Sequence, residues 1–362
     1  MTTIRTELHG TKGRGLEDLS VEPTAEPVAP NRPGSDGGAE RDRESGRESR
    51  GVGSLLRSVG LWFDNSSKRY SEEEVASITQ YEVDWVRLVP FLGVHLMCLA
   101  VIWTGWSGIA VAVAAGMYVF HMFIITAFYH RYFSHRTFKT SRLAQFLFAV
   151  AGCSCVQRGP IWWAARHRHH HRHSDDEDDV HSPIQHGFYW SHFGWITSKC
   201  AFDFDPKAVP DLMKYPELRF LNRFDNLVPI LEAVAIFFLG VFLESRGWNT
   251  NGFQMLIWGF FISIVVSSHA TFTINSLTHM WGTKRYKSKD ESRNSLTLAL
   301  LTGGEGWHNN HHYYPGATRQ GFYWWEIDLT YYVLWALSKI GIIWDLNPVP
   351  KKIRESHHLD GK

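Results

Sequence analysis

The chain alternates between apolar and polar stretches, and four of the apolar stretches are long enough to cross a bilayer. A membrane-spanning helix needs about 20 mostly apolar residues, which predicts spans at 88–106, 108–129, 227–243 and 255–274. Short links join the first span to the second and the third to the fourth, so each pair is expected to form a helical hairpin. The pattern predicts an all-α membrane protein with four transmembrane helices in two hairpins.

The remaining segments suggest how the chain is divided. Residues 1–55 are rich in Pro, Gly, Ser, Arg and Glu and poor in large apolar side chains. Such a segment cannot offset its ordering entropy, so it is expected to be a disordered tail. We place the membrane domain at 56–350 and a short tail at 351–362. Two further apolar stretches, 143–165 and 329–344, are interrupted by polar residues. They are expected at the membrane interface or in a helical cap.

Charge predicts an orientation and excludes one class of function. With 37 Lys+Arg against 36 Asp+Glu, the chain lacks the cationic excess of a nucleic-acid-binding protein. Positive side chains concentrate in the polar segments after the second and fourth spans, and the short links contain only Arg246. The positive-inside rule therefore predicts that these segments and both termini are cytoplasmic. Four cysteines without a C-x-x-C pair indicate neither a disulfide framework nor a thiolate zinc site.

Histidine is in excess, with 20 in the chain, and many of these residues cluster near the predicted cytoplasmic ends of the spans. His130 and His135 follow the second span. Being five residues apart, they face one centre only if the helix ends or bends between them. His167, His170 and His171 come next, and their i, i+3, i+4 spacing allows the three rings to converge above one helix face.

The same spacing recurs at His308, His311 and His312, and His279 ends the fourth span with Asn275 one turn earlier. These nine imidazoles are one too many even for two closed tetrahedral zinc sites. Two metals with four or five imidazoles each, and open positions for water or O₂, fit better, and such sites suit iron. The count favours a di-iron oxidation centre, and copper and zinc stay open on this reasoning.

The order of these motifs resembles the integral-membrane fatty-acid desaturases, most of all their Δ9 acyl-CoA and acyl-lipid branch. The motifs are HRYFSH (130–135), HRHHH (167–171), NSLTH (275–279) and EGWHNNHH (305–312), and the resemblance covers about residues 85–350. It implies a cytoplasmic cap with two iron ions that activate O₂ and form a cis double bond in a saturated acyl chain. It also implies that Asn275 holds a metal-bound water and that nine histidines are ligands. These nine are His130, His135, His167, His170, His171, His279, His308, His311 and His312.

The same resemblance implies six residues that contact the substrate. Three of them lie at or near the bend of an acyl tunnel, one lies near the head group, and two on the second span close the far end. In that order they are Trp163, Thr271 and Gln157, then Arg166, then Tyr118 and Met122. The bulk of Met122 would favour a shorter acyl chain.

The reaction needs electrons that the chain cannot supply. It contains no H-P-G-G haem motif, no G-x-G-x-x-G and no four-cysteine pattern. An external donor, such as a ferredoxin or a cytochrome b5 with its reductase, is expected on the basic cytoplasmic face. The acidic run 175–179 is expected to be a solvated loop, with donor docking or a third metal as the alternatives. The extra imidazoles of His169 and His173 have no assigned role.

Two other functions share parts of this pattern. A membrane di-iron hydroxylase of a lipid or alkane uses the same arrangement of histidines, and its alcohol product would distinguish it. A metal transporter would place histidines or acidic residues at mid-membrane, where His95, His121 and His269 are the candidates. The desaturase is the favoured interpretation.

Overall fold

The computed structural model of the chain describes residues 59–65, 81–356 and 358–359. Within this part of the chain, four helices are long and apolar enough to cross a membrane, which confirms the four predicted spans. We number them spans 1 to 4 in chain order, and their bounds are Trp85–Thr104, Gly108–Ser134, Leu227–Ser245 and Gly252–Met280. The predicted tail at 1–55 lies outside the described residues.

Spans 2 and 4 continue beyond their predicted ends. The apolar pattern stops at residues 129 and 274, but the helices reach Ser134 and Met280. The apolar pattern stops where histidines and hydroxyl-bearing side chains begin. The backbone hydrogen bonds of a helix do not depend on side-chain polarity, so the helix continues through these residues. As a result, His130 and His279 belong to the spanning helices themselves.

The two hairpin links contact each other, which places both hairpins side by side. Ser107 caps span 2 by accepting the amide proton of Ala110, and its hydroxyl also donates to Thr250 at 3.0 Å. Asn251 caps the first turn of span 4 in the same way, by accepting from the amide of Gln254. Spans 2 and 4 are therefore each preceded by a side chain that satisfies an otherwise unpaired backbone N–H.

Close packing joins spans 3 and 4. At Gly240 an added Cβ would lie 2.6 Å from the carbonyl oxygen of Asn251, so only glycine permits this approach. Buried Ile236, Met255 and Phe260 form an apolar cluster beside it. Spans 3 and 4 therefore pack through a small-residue contact and an apolar core.

One polar pair lies between spans 2 and 3. The Nε2 atom of His121 lies 3.2 Å from Oε1 of Glu232. Polar and ionisable groups inside a membrane are costly unless they are paired, so this contact explains how span 3 tolerates a carboxylate. The sequence pattern drew attention to His121 but not to its partner.

Short helices make up the non-spanning region, which we define as residues 135–226 and 281–356. The helices are α1 Arg142–Ser154, α2 Pro160–His173, α3 Pro183–His186, α4 Pro210–Met213, α5 Pro216–Arg223, α6 Leu296–Leu301, α7 His308–Tyr313, α8 Leu329–Lys339 and α9 Lys351–Arg354. Single turns lie at Trp190–Gly194, Trp195–Thr197, Lys199–Ala201 and Pro206–Ala208. Strands β1 (Lys139–Thr140) and β2 (Ile343–Trp344) pair antiparallel. The region is thus helical, as predicted.

The apolar stretch 143–165 forms two helices, α1 and the start of α2. The turn between them contains Val156 and Arg158, whose φ angles are 56° and 71°. Helix α1 packs on span 2, where Phe148 stacks on Phe128 at 3.7 Å and the ring of Tyr129 occupies the space above Gly152. This packing fixes the end of span 2, from which the first histidines project.

Candidate metal centre

The structure gathers all nine predicted histidines into two neighbouring groups. Within each group, one ring nitrogen per residue lies within 4.8 Å of all the others. The five-histidine group contains His130, His135, His167, His171 and His311. The four-histidine group contains His170, His279, His308 and His312. Two clusters of this size match the expected division of nine imidazoles between two metals.

A π-helical segment brings the first two histidines together. Residues Ile125–Ser134 form a π-helix at the end of span 2, and the amide of His135 donates to the carbonyl of His130 at 3.3 Å. Hydrogen bonds from i+5 to i place residues five apart on the same side. The helix then ends at His135, so the expected end or bend between the two histidines is present.

The other two histidine motifs divide differently from the prediction. His167 and His171, one turn apart on α2, enter the five-histidine group, whereas His170 enters the other. On α7 the division is reversed, because His308 and His312 belong to the four-histidine group. The expectation that all three rings of a motif converge on one point is therefore wrong. Each helix lies between the two groups, and positions i+3 and i+4 differ by about 100° around its axis.

The spacing of the ring nitrogens fits metal ligation. The Nε2 atom of His311 lies 2.9 Å from Nε2 of both His130 and His171. Two nitrogens that bind one metal at about 2.1 Å and at right angles lie about 3.0 Å apart. In the four-histidine group, Nε2 of His312 is buried and has no hydrogen-bond partner. The nitrogen-rich donor set suits iron.

In four of these rings, the Nδ1 atom contacts a carboxylate. The pairs are His130 with Glu305, His170 with Asp179 at 3.0 Å, His279 with Asp175 at 2.8 Å, and His312 with Asp290 at 2.5 Å. A carboxylate on Nδ1 fixes the tautomer and orientation of the ring and leaves Nε2 for a metal. Sequence reasoning missed these four acids, although an acidic residue close to a histidine motif is a signal that could have found Glu305.

The acidic run is only partly solvated, which corrects the expectation for it. Asp176, Glu177 and Asp178 are exposed, but Asp179 is fully buried and the side chain of Asp175 is only 6% exposed. These two carboxylates face histidines of the four-histidine group. The run is therefore a structural support for the centre at both of its ends.

Burial favours the neutral form of several rings outside the spans, but at His170 the carboxylate of Asp179 outweighs burial and raises the pKa above its usual value. Burial lowers the pKa of His135, His171 and His311 well below the usual value, and neighbouring imidazoles lower it further. Burial also lowers the pKa of His312 to about 4, against the opposing effect of Asp290. Burial raises the pKa of Asp290, but His312 outweighs it and holds that pKa well below its usual range. Neutral imidazole is the form that binds metals.

A buried ion-pair network supports the five-histidine group. Arg131 is 1% exposed and donates to Glu305 at 2.9 Å and to Asp328 at 2.9 Å. Gln320 donates to the second oxygen of Glu305 at 3.1 Å. Because Glu305 also contacts His130, residues from both ends of the domain fix the orientation of this ring.

A cavity of about 560 Å³ reaches the five-histidine group at His167. Of the predicted substrate and water-holding residues, five line it: Gln157, Trp163, Arg166, Thr271 and Asn275. Gln157 donates to Thr271 at 3.1 Å, and Arg166 donates to the carbonyls of Cys200 and Asp203.

The other predicted residues lie away from this cavity. Tyr118 and Met122 do not line it; the hydroxyl of Tyr118 donates to the carbonyl of Leu301. His169 and His173 belong to neither histidine group: His169 contacts the carbonyl of Asp178 at 2.9 Å. The cavity therefore joins four of the six predicted tunnel residues to the centre.

Known proteins resemble the chain over most of its length. Residues 104–342 match the fatty acid desaturase family model. The chain is 37% identical over 272 residues to palmitoyl-monogalactosyldiacylglycerol delta-7 desaturase of Arabidopsis thaliana, covering 73% of this chain and 69% of the relative. It is 34% identical over 281 residues to sn-1 stearoyl-lipid 9-desaturase of Anabaena variabilis, covering 77% and 99%. It is also 34% identical over 274 residues to an acyl-CoA 5-desaturase of Anemone leveillei, covering 73% and 79%. The chain belongs to the fatty acid desaturase family.

Proposed function

We propose that this desaturase introduces a cis double bond, at Δ9, into a saturated long-chain acyl group, with two iron ions and O₂. The observation that carries the proposal is the division of nine histidines into a group of five and a group of four around adjacent points. The Δ9 position is supported by relatives named as 9-desaturases in Anabaena variabilis and Synechocystis. Relatives named for positions 7 and 5 make position the part that most needs an experiment.

When bound, the two irons would supply the oxidising power that an unactivated methylene requires, since it has no acidic proton and no leaving group. The nine histidines would hold the metals through their inner nitrogens, and the carboxylates behind them would keep the rings oriented. Asn275 and His167 line the same cavity, which supports our assignment of Asn275 as the residue that would hold a water at the centre. These residues form a rigid frame, so the metals would be held at a fixed distance from the cavity.

The cavity would select the carbon atoms that react. Apolar burial binds an acyl chain at about 0.8 kcal/mol per methylene but does not distinguish one methylene from the next. Orientation must come from fixed contacts. Gln157 donates a hydrogen bond to Thr271, Trp163 stacks on the ring of His167, and all four residues line the cavity. We assign these residues to the bend that presents one carbon–carbon bond to the centre, and Arg166 to the head-group side.

Electrons would come from outside the chain, from a ferredoxin or from a cytochrome b5 with its reductase. We place the non-spanning region, and with it the metal centre and both termini, on the cytoplasmic side, as the positive-inside rule indicates. A soluble donor could then dock on that side.

The relatives named above are lipid and acyl-CoA desaturases, so a hydroxylase is not favoured. Expression in a host that lacks its own desaturase tests the proposal. Gas chromatography with mass spectrometry of total fatty acids should show a new monounsaturated acid with a cis Δ9 bond. His311→Ala, as the matched control, should give none. An alcohol in place of the alkene, or no product from an iron-loaded protein with an active donor, would overturn the proposal.

A further inference from the structure

A row of three oxidisable side chains leads away from the five-histidine group. The indole of Trp163 stacks on the ring of His167, with 5.0 Å between ring centroids and 20° between ring planes, and it lies 6.1 Å from the ring of His130. The ring of Tyr129 lies 5.8 Å from that of Trp163. The hydroxyl oxygen of Tyr129 is 3.5 Å from Sγ of Cys153. We call Trp163, Tyr129 and Cys153 the oxidisable chain.

The far end of the oxidisable chain is enclosed by protein and held in one position. Tyr129 is fully buried and Cys153 is 1% exposed. The hydroxyl of Tyr129 also donates to the carbonyl of Arg158 at 2.8 Å. One edge of its ring lies against helix α1, because a Cβ added at Gly152 would collide with Cε1 of Tyr129. Cε1 is the ring carbon next to the one that carries the hydroxyl. The edge of the phenol that reacts most readily on oxidation therefore lies beside the residue that precedes Cys153.

The three residue types share one chemical property. Indole, phenol and thiol groups lose a single electron more easily than most other side chains. Burial raises the pKa of the Cys153 thiol to about 12, so it is a neutral thiol and a poor nucleophile. It releases a proton whenever it loses an electron. The oxidisable chain is therefore suited to supplying electrons to the neighbouring metal centre, in short steps between groups that are nearly in contact.

The electron balance of the proposed reaction shows when such a supply is needed. Reduction of O₂ to two waters takes four electrons and four protons. The external donor provides two electrons, and the two C–H bonds of a saturated acyl chain provide the other two together with two protons. If no saturated chain fills the cavity, the last two electrons must come from another source. An oxidising site must limit such side reactions, and its own imidazole ligands are the groups closest to it.

We propose that the oxidisable chain supplies these two electrons when the cavity holds no saturated acyl chain, and that a thioether bond then joins Cys153 to Tyr129. The S–H bond of Cys153 and the C–H bond at Cε1 of Tyr129 break, and a C–S bond forms. Two electrons pass through Trp163 to the centre, and the two released protons complete the reduction of O₂ to water. This inference rests on the proposed function and adds to it a site of covalent modification that protects the centre.

Mass spectrometry of the protein after turnover without substrate tests the proposal. The iron-loaded full chain is placed in vesicles of dioleoyl-phosphatidylcholine, whose acyl chains already contain the Δ9 bond. It then receives O₂, NADPH, ferredoxin and ferredoxin reductase. Trypsin releases Tyr129 in peptide 88–131 and Cys153 in peptide 143–158. A species with the summed mass of both peptides, less two hydrogen atoms, should accumulate. Iron-free protein should not form it, and addition of stearoyl-CoA and a stearoyl lipid should suppress it.

One variant tests the route through the indole. Trp163→Phe keeps an aromatic ring beside His167 but removes the group that is easily oxidised. The folded, iron-loaded variant should lose the cross-linked species. Oxygen should instead be added to the ligand rings of His130 or His167, because the oxidising equivalents no longer leave the centre. Melting temperature and iron content check that the variant is intact.

Two further variants test the end of the chain. Cys153→Ala removes the sulfur and should lose the cross-linked species. It should desaturate a stearoyl substrate at the parental rate, but it should lose iron sooner than the parent when O₂ is reduced without substrate. Cys155→Ala is the matched control, because Cys155 is also a buried thiol and its Sγ contacts the carbonyl of His121 at 3.7 Å. It should form the cross-link as the parent does.

The outcomes separate this inference from the proposed function. Inactivation of the centre without the cross-linked species would overturn the role of the oxidisable chain and leave desaturation intact. Formation of the same species in iron-free protein or in folded Trp163→Phe would also overturn it. Absence of a double bond on every saturated substrate, with electrons delivered, would instead overturn the proposed function.

Discussion

Glu305 accepts hydrogen bonds from three donors at once, so replacing it with glutamine is a demanding test of the buried network. Its Oε1 accepts from Arg131 at 2.9 Å, and its Oε2 lies against His130 and accepts from Gln320 at 3.1 Å. In Glu305→Gln, one oxygen becomes an NH₂ group. Whichever way the amide is turned, that NH₂ faces another donor, so at least one buried donor loses its acceptor.

The expected cost follows from what remains. A buried donor without a partner costs about 1–3 kcal/mol, and breaking a buried ion pair outright costs about 3–5 kcal/mol. Arg131 keeps two bonds to Asp328, at 2.9 and 3.1 Å, so the loss is below the full ion-pair value. We expect Glu305→Gln to lower the free energy of unfolding by about 2–3 kcal/mol. Poorer orientation of His130 should also weaken metal binding about 10–100-fold.

Two measurements check this prediction. Thermal melting of the purified protein should show a fall of roughly 5–10 °C, and elemental analysis should show less iron per chain. The control is Glu217→Gln, whose partner Arg142 is exposed to solvent, so the loss of this surface pair should change stability little. If Glu305→Gln melted at the same temperature as Glu217→Gln and retained its full iron content per chain, the assigned role of the network would be refuted.

Three further substitutions test other parts of the structure. His171→Ala should abolish desaturation and lower bound iron, whereas His169→Ala, outside both histidine groups, should cost far less; equal losses in elemental analysis would contradict the grouping. Gly240→Ala should cost about 1–3 kcal/mol because its Cβ meets backbone atoms at 2.6–2.7 Å. Gly116→Ala, which meets nothing within 4 Å, should melt like the parent. Thr271→Val removes the hydrogen bond to the cavity-lining glutamine and should lower turnover roughly fivefold and broaden double-bond position, as read by gas chromatography; an unchanged product would exclude Thr271 from the bend.

The spans were predictable because few backbone structures are stable inside a bilayer. A backbone that crosses it must satisfy its own hydrogen bonds, so a long apolar stretch indicates a helix. The ends of spans 2 and 4 were not predictable in this way. Hydropathy reports only where apolar side chains stop, and the helix that carries His130 continues as a π-helix through polar residues.

The candidate ligands were also visible in the sequence, but their arrangement was not. Local spacing identified His167, His170 and His171, yet it could not show that His170 belongs to a different group of rings from the other two. The carboxylate partners of these histidines were not predicted, for a related reason. Asp175 lies 104 residues from His279, and no periodicity within one helix relates positions so far apart. Tertiary packing alone brings them together.

The long separations inside the buried network have a consequence for synthesis of the protein. Arg131 and Asp328 are 197 residues apart, and His130 and His311 are 181 apart. At translation rates of 5–20 residues per second, roughly 10–40 s pass between the appearance of Arg131 and that of its second carboxylate. During that interval Arg131, near the end of span 2, lacks its full set of carboxylate partners, because Asp328 has not yet been synthesised. A chain released before residue 328 would therefore have its membrane helices without a completed centre, and would be a ready substrate for quality-control proteolysis.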